Sequence, residues 1–328
     1  MNLSHACLLR LVLGAMVLFA IGYPPDARAQ GFPTRPITAI TSVSPGGTYD
    51  IFARALSEGL RTVLGQPVIV EPRPGGNNVI AARACAEAAP NGYTICVLPS
   101  EALVMPEFLV KRVPYDSKND FAAVMNLLIN TQVLVVNADL KVKSLEELAA
   151  LAKARPRTLS YTAPTLFQRA FFERFNKQHG VDLVGVPFKG GGEAVNLILS
   201  GTVPIGFFGG ANFVPHVQSG RMVALAVDAD KRSPLYPDTP TLSELGFKDK
   251  FSRPYLILVV PAKTPPDIIL TLHRAVANVM SQPDFRKRHL LDRGLDPIAD
   301  TPEQATRFLA EDRDVVKNIA QELGLRPE

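Results

Sequence analysis

Histidine is scarce in this chain: His5, His179, His216, His273 and His289 are the whole supply in 328 residues. None falls in an H-E-x-x-H pair, and no G-x-S-x-G elbow occurs. The sequence therefore offers neither a zinc-protease helix nor the strained nucleophile turn of a serine hydrolase. Cysteine is scarcer still, at three residues, and no Cys/His group has metal-ligand spacing, so neither a metal nor another cofactor is expected. Charge of one sign is missing as a block. The net charge is +4 with both signs interspersed, and no Lys/Arg-rich run argues for nucleic acid. A hydrophobic run of spanning length is lacking too: Leu11–Ile21 is apolar but reaches only about half of the roughly 20 residues a bilayer requires.

That short run fits another role. Basic groups before it are limited to His5 and Arg10, and Ala27-Arg28-Ala29 after it has the small-x-small pattern of a cleavage site. A secretory signal peptide over residues 1–29 is expected, cut after Ala29, and with it a soluble exported protein, periplasmic in a cell with two membranes. Cys7 precedes the run, where a lipoprotein cysteine does not sit. Removal of residues 1–29 takes Arg10, Arg28 and Asp26 and leaves the balance mildly positive. Cys85 and Cys96 remain; in an oxidising compartment they either pair or stay as two buried thiols, and both readings stand.

The length and the 47% hydrophobic content suit two domains with sizeable cores. Ile37–Ser42 reads as a strand. After a Gly-rich turn, Ile51, Phe52, Ala55, Leu56, Leu60, Val63 and Leu64 recur at helical spacing until Gly65-Gln66-Pro67 stops them. Strands at Val68–Val70 and Thr94–Leu98 flank a helix at Val79–Ala89. A second series opens at Gln132–Asn137 and runs through Leu159–Thr162, Leu183–Pro187, Val203–Phe208 and Met222–Val227. Ser144-Leu145-Glu146-Glu147 and Thr301-Pro302-Glu303-Gln304 are capping boxes. Tyr255–Val260 is a further strand, followed by helices near 266–281, 283–291 and 302–323. The alternation predicts α/β units with parallel, doubly wound sheets, and ligands in such folds bind at the loops after the strands.

One such loop stands out in "TSVSPGGTYDIFARAL", residues 41–56. A helix start presents unpaired N–H groups and a partial positive charge, and Gly46 and Gly47 let a ligand approach the backbone. Neither the Gly-Lys-Ser/Thr of a P-loop nor G-x-G-x-x-G is present, which disfavours a nucleotide. The stretch alone fits either a small-anion site or a tight turn that needs glycine for its geometry.

"FPTRPITAITSVSPGGTYDIFARAL", "GQPVIVEPRPGGNN", "AAPNGYT", "VPYDSKNDFAAV", "VKSLEELAALAKARP", "VPFKGGGEAVNLILSG", "ALAVDADKRSPLYPDTPTLSELGF" and "VPAKTPP" follow in order. Together they resemble the Bug (TctC-like) periplasmic solute receptors of tripartite tricarboxylate transporters. The resemblance implies a two-lobed periplasmic-binding-protein (Venus flytrap) fold, each lobe a doubly wound sheet with flanking helices. Lobe 1 would comprise residues 30–131 plus 252–328, and lobe 2 residues 132–251. It also implies a monomeric receptor that hands a small organic acid to membrane permease subunits.

In the family one ligand carboxylate sits at the loop matching Ser44, Pro45, Gly46, Gly47, Thr48 and Tyr49, with Asp50 bracing the helix start. The matching loop of the other lobe is "LSYTAPTLFQRAFFERF", which lacks the family's glycines and histidine but offers Thr162, Ala163 and Thr165. Phe167 and Phe171 either line the cleft or belong to the core. Phe208-Gly209 in "VPIGFFGGANFVPH" replaces a more polar family position. Arg253, just before Tyr255 in "FSRPYLILVVP", is either a bidentate carboxylate clamp or a solvated surface residue. His216 matches a recurrent family position and reads as structural. These departures lean toward a monocarboxylate with an apolar or aromatic body. Two other functions compete with transport: a receptor reporting to a membrane sensor kinase, and an exported hydrolase with a triad assembled from distant residues.

Overall fold

A computed structural model describes residues 31–162, 166–187, 191–247 and 253–327, so the expected signal peptide lies outside it. Arg35–Glu328 form one compact body; of the separate unit before it, Met1–Thr34, only residues 31–34 are described.

The chain opens with β1 (Ile37–Thr41), passes the Gly-rich loop into α1 (Thr48–Leu64) and returns as β2 (Val68–Pro72). Phe52, Ala53, Leu56 and Leu60 form the buried face of α1, and Gly65 ends it in the left-handed conformation that glycine adopts without steric cost. α2 (Val79–Ala86) then leads to β3 (Thr94–Pro99), and a Cys85–Cys96 disulfide ties the two, which decides between the two readings of these cysteines. Two short helices follow, α3 (Glu101–Val104) and α4 (Pro106–Leu109), then β4 (Phe121–Asn130).

One residue later, β5 (Gln132–Asn137) begins a second sheet. This continues with α5 (Leu145–Ala154), β6 (Ser160–Thr162), α6 (Leu166–His179), β7 (Val184–Val186), α7 (Gly191–Leu199), β8 (Ile205–Gly209), α8 (Val214–Gln218) and β9 (Met222–Asp228). β10 (Tyr255–Pro261) rejoins the first sheet, followed by α9 (Pro266–Ser281), α10 (Pro283–His289), β11 (Leu295–Pro297) and α11 (Pro302–Glu322).

The sheets run β11-β4-β10-β3-β1-β2 and β7-β6-β8-β5-β9. Both are mixed, not purely parallel as the alternation predicts. β10 lies antiparallel to β3 and β4, and β5 antiparallel to β8 and β9. The reason is the crossing. β1, β3, β6 and β8 end where the ligand loops begin. β5 and β10, by which the chain enters each sheet from the other, must start at that same end and run away from it.

Each sheet has its own core, and one cluster spans both. Leu166, Phe167 and Ala170 of α6 pack with Leu98, Leu103, Tyr255, Leu309, Val316 and Ile319 from the first sheet and its helices. At the edge of this contact Arg174 on α6 grips Glu322 on α11 at 2.7 Å. Phe171 faces the second sheet's core with Phe172, Phe175 and Phe207. Phe167 and Phe171 are thus both core residues.

Candidate functional site

The loop after β1 forms one wall of a cavity of about 400 Å³, lined by Val43, Ser44, Pro45, Gly47, Thr48, Tyr49 and Asn130. Gly47 caps α1 with extended dihedrals and carries no side chain to bond the first-turn N–H groups. The N–H groups of Thr48, Tyr49 and Asp50 are therefore left for whatever occupies the cavity.

The N–H of Gly46 is not among them. Gly46 has φ +86°, and its N–H donates to Asp50 Oδ2 at 2.9 Å, so it holds the turn together and does not face a ligand. Arg54 Nε donates to the same oxygen at 2.9 Å. Burial works against ionisation of Asp50, but these hydrogen bonds and the Arg54 charge outweigh it and hold the carboxyl below its ordinary range. The loop shape is thus fixed by a carboxylate turned away from the cavity.

Asn130, the last residue of β4, reaches the cavity from the crossing between the sheets. On its other side is Gly209, where an added Cβ would come within 2.9 Å of both amide atoms of Asn130. Gly209 therefore acts by having no side chain: it makes room for the Asn130 amide, which joins the α1 loop to the end of β8. The crossing is anchored further by Thr131, whose hydroxyl donates to Asp296, and by Gln132, which donates to the Asn130 carbonyl at 2.7 Å and accepts from Gln168 at 2.7 Å.

Three sequence-predicted contacts fall elsewhere. Phe208 points into the second sheet's other core, its ring 4.4 Å from that of Phe213, because alternation along β8 sends it to the face opposite Phe207. Arg253 is neither a free clamp nor solvated. Its Nε bonds Asp228 at 3.1 Å and its Nη2 bonds Asp230 at 3.0 Å, so two carboxylates at the β9–β10 crossing already neutralise it. Tyr255 is wholly buried, its ring edge-on to Phe308. Thr162 closes β6 with a buried Oγ1 that has no hydrogen-bond partner among the described residues. Ala163 and Thr165 lie outside the described residues.

Behind the cavity wall, the predicted Tyr49 and Tyr255 share their surroundings with two acids that sequence reasoning did not single out, Glu101 and Asp312. The Tyr49 hydroxyl is buried with no hydrogen bond of ordinary geometry; burial and Glu101 raise its pKa, and the Asn130 amide beside it acts the other way. Burial, with the charge of Asp312 adding to it, pushes Glu101 up to about 7. Tyr255, under the same burial and the charges of Asp312 and Glu101, is raised as well. Among the described residues no cluster of His, Cys, Asp and Glu stands ready to hold a metal, and no helix is long and apolar enough to cross a membrane.

The family model described as "Tripartite tricarboxylate transporter family receptor", TctC, matches residues 52–325. Protein BugT of Bordetella pertussis is 32% identical over 329 residues, covering 99% of each chain. Among solved structures, R. palustris Rpa4515 with adipate has a TM-score of 0.79 at 26% identity, covering 90% of this chain and 100% of that one. MatC (Rpa3494) from Rhodopseudomonas palustris, with bound malate, has a TM-score of 0.72 at 27% identity, covering 88% and 100%.

Proposed function

Because the chain belongs to the family of tripartite tricarboxylate transporter receptors, we propose that it is a monomeric, non-enzymatic periplasmic receptor for a small organic carboxylate. It is exported by residues 1–29 and delivers its ligand to the permease subunits of such a transporter. The carrying observation is the uncapped start of α1 facing a cavity of about 400 Å³. Unpaired N–H groups at a helix start favour an anion without any lysine or arginine. The size lies within the range of small-ligand sites, about 300–1,000 Å³.

The preference for an apolar or aromatic acid loses its ground, since Phe208 lines the core. An aliphatic acid fits better, of the class that the relatives hold as adipate and malate. One carboxylate meets the N–H groups of Thr48–Asp50 and the Asn130 amide; Thr162 Oγ1, buried and unpartnered among the described residues, donates from the other sheet. Capture works by population shift. The ligand touches both lobes only when they are closed, so it stabilises that state by its differential affinity. The lobes, residues 30–131 with 252–328 and residues 132–251, turn about the crossings at Asn130–Thr131 and between β9 and β10.

A thermal-shift screen of purified, unfolded and refolded protein against mono-, di- and tricarboxylic acids tests this. An acid at about 100 times its dissociation constant adds roughly 2.7 kcal/mol, read as a rise in Tm. No shift with any acid, from protein shown to be refolded, would contradict it.

A further inference from the structure

We propose that Gln132 and Gln168 are positioning residues of the carboxylate site, a buried relay that fixes Asn130 to the first turn of α6. The proposal rests on the carboxylate reading above and adds two residues that do not line the cavity. Asn130 is the last residue of β4 and Gln132 the first of β5, so Thr131 between them makes the crossing from one sheet to the other. Gln168 lies in the first turn of α6, the helix that follows Thr162.

Two hydrogen bonds join Gln168, Gln132 and Asn130. Gln168 Nε2 donates to Gln132 Oε1 at 2.7 Å, and Gln132 Nε2 donates to the Asn130 carbonyl at 2.7 Å. Gln132 is 3% exposed and Gln168 1%, so water does not stand in for either amide. An apolar pair would fill the same space without the cost of desolvating two amides. What the amides add is direction. Left alone, Gln132 can turn its amide about its last torsion; the bond from Gln168 to Oε1 sets which edge faces Asn130.

Asn130 needs that direction. Its own N–H donates to the Pro254 carbonyl at 3.0 Å. The Gln132 bond fixes the carbonyl side, so the peptide planes before and after the Asn130 Cα are both held. With them is held the line along which the Asn130 amide enters the cavity. A binding group serves its ligand only while it stays within about 0.5 Å of the productive position. The relay therefore ties one ligand donor, the Asn130 amide, to the helix start beside the other, Thr162. A ligand that draws on the start of α6 pulls through Gln168 and Gln132 on the Asn130 carbonyl, and the two walls of the site move as one.

Gln168→Met and the double variant Gln132→Met/Gln168→Met separate positioning from packing. The single change leaves Gln132 Oε1 buried without this donor and is expected to lower the midpoint of urea unfolding. The double change removes both buried amides and is expected to recover most of that midpoint. Affinity behaves differently. Calorimetry with adipate, malate and whichever acid of the thermal-shift screen raises Tm most is expected to show about tenfold weaker binding in both variants. Amide NMR of the ¹⁵N-labelled variants locates the loss: acid-induced shifts shrink at the Asn130 side-chain amide and persist at the backbone amides of Thr48, Tyr49 and Asp50. In the unaltered protein the side-chain amides of Gln132 and Gln168 shift together with that of Asn130. A double variant with the affinity of the unaltered protein, or Gln132 and Gln168 amides that saturating acid leaves unmoved, overturns the proposal and leaves the carboxylate receptor in place. Absence of binding of any mono-, di- or tricarboxylic acid to the unaltered protein overturns that reading and this one with it.

Discussion

The start of α11 is closed by its own sequence, whereas the start of α1 is left open. Thr301 Oγ1 accepts from Gln304 N at 3.3 Å and Gln304 Oε1 accepts from Thr301 N at 3.0 Å, with Pro302 at the first helical position. At α1 the cap is Gly47, no side chain covers the first turn, and the available carboxylate, Asp50, is spent on Gly46 and Arg54. α5 lies between these cases: Ser144 caps Glu147 N at 3.2 Å, but Glu147 turns to the N–H of Lys143 and leaves the box half made. A helix that needs only to fold satisfies its own N–H groups. One that leaves them bare beside a cavity is shaped for a ligand that satisfies them instead.

Substitutions at the three starts separate these roles. The largest effect is expected from Gly47→Val. Gly47 has φ −76°, and an added Cβ meets only the Ser44 carbonyl, at 3.6 Å, so the variant folds, with stability lowered by about 1 kcal/mol because valine is a poor helix cap. Its side chain occupies the ligand's approach, and loss of two charge-assisted hydrogen bonds, each about 1.5–3 kcal/mol, weakens binding by a hundredfold or more, measurable by calorimetry.

Asp50→Ala removes the acceptor of Gly46 and Arg54 and should cost about 1–3 kcal/mol in denaturant unfolding. The sign with pH follows from the lowered pKa: the Asp50 contribution is complete above the ordinary carboxylate range and disappears as pH falls through its folded value. The gap between variant and parent therefore closes in acid. Thr301→Ala should cost about 1 kcal/mol of stability and leave ligand affinity untouched. Ser144→Ala, with half a box to lose, should cost about 0.5 kcal/mol, also without effect on affinity.

The open loop of α1 and both capped starts were legible in the sequence because each is a local matter of residue type and spacing. β4 was not. Phe121–Asn130 is buried through its middle and shows no alternation, its pairing with β10 is broken by two register shifts, and Asn126 sits inside it at 0% exposure, held by Asp300 from the far end of the chain. With β4 unread, Asn130 went unread too, although Asn130-Thr131-Gln132 between two apolar runs marks the crossing. The Glu101 group draws on residues 49, 101, 255 and 312, and no window of sequence joins them. The misplacement of Phe208 and Arg253 has the same origin: strand alternation and partners at Asp228 and Asp230 decide where they face, not the family position each occupies.

The central claim is that a ligand carboxylate is held by the bare N–H groups at the start of α1. Amide NMR of the ¹⁵N-labelled protein, titrated with adipate and with malate, tests it most directly. Saturable shifts largest at the backbone amides of Thr48, Tyr49 and Asp50 and at the Asn130 side-chain amide, with Gly46 moving less, are the predicted result. Saturable binding whose largest shifts lie away from residues 43–50 and Asn130 would contradict it.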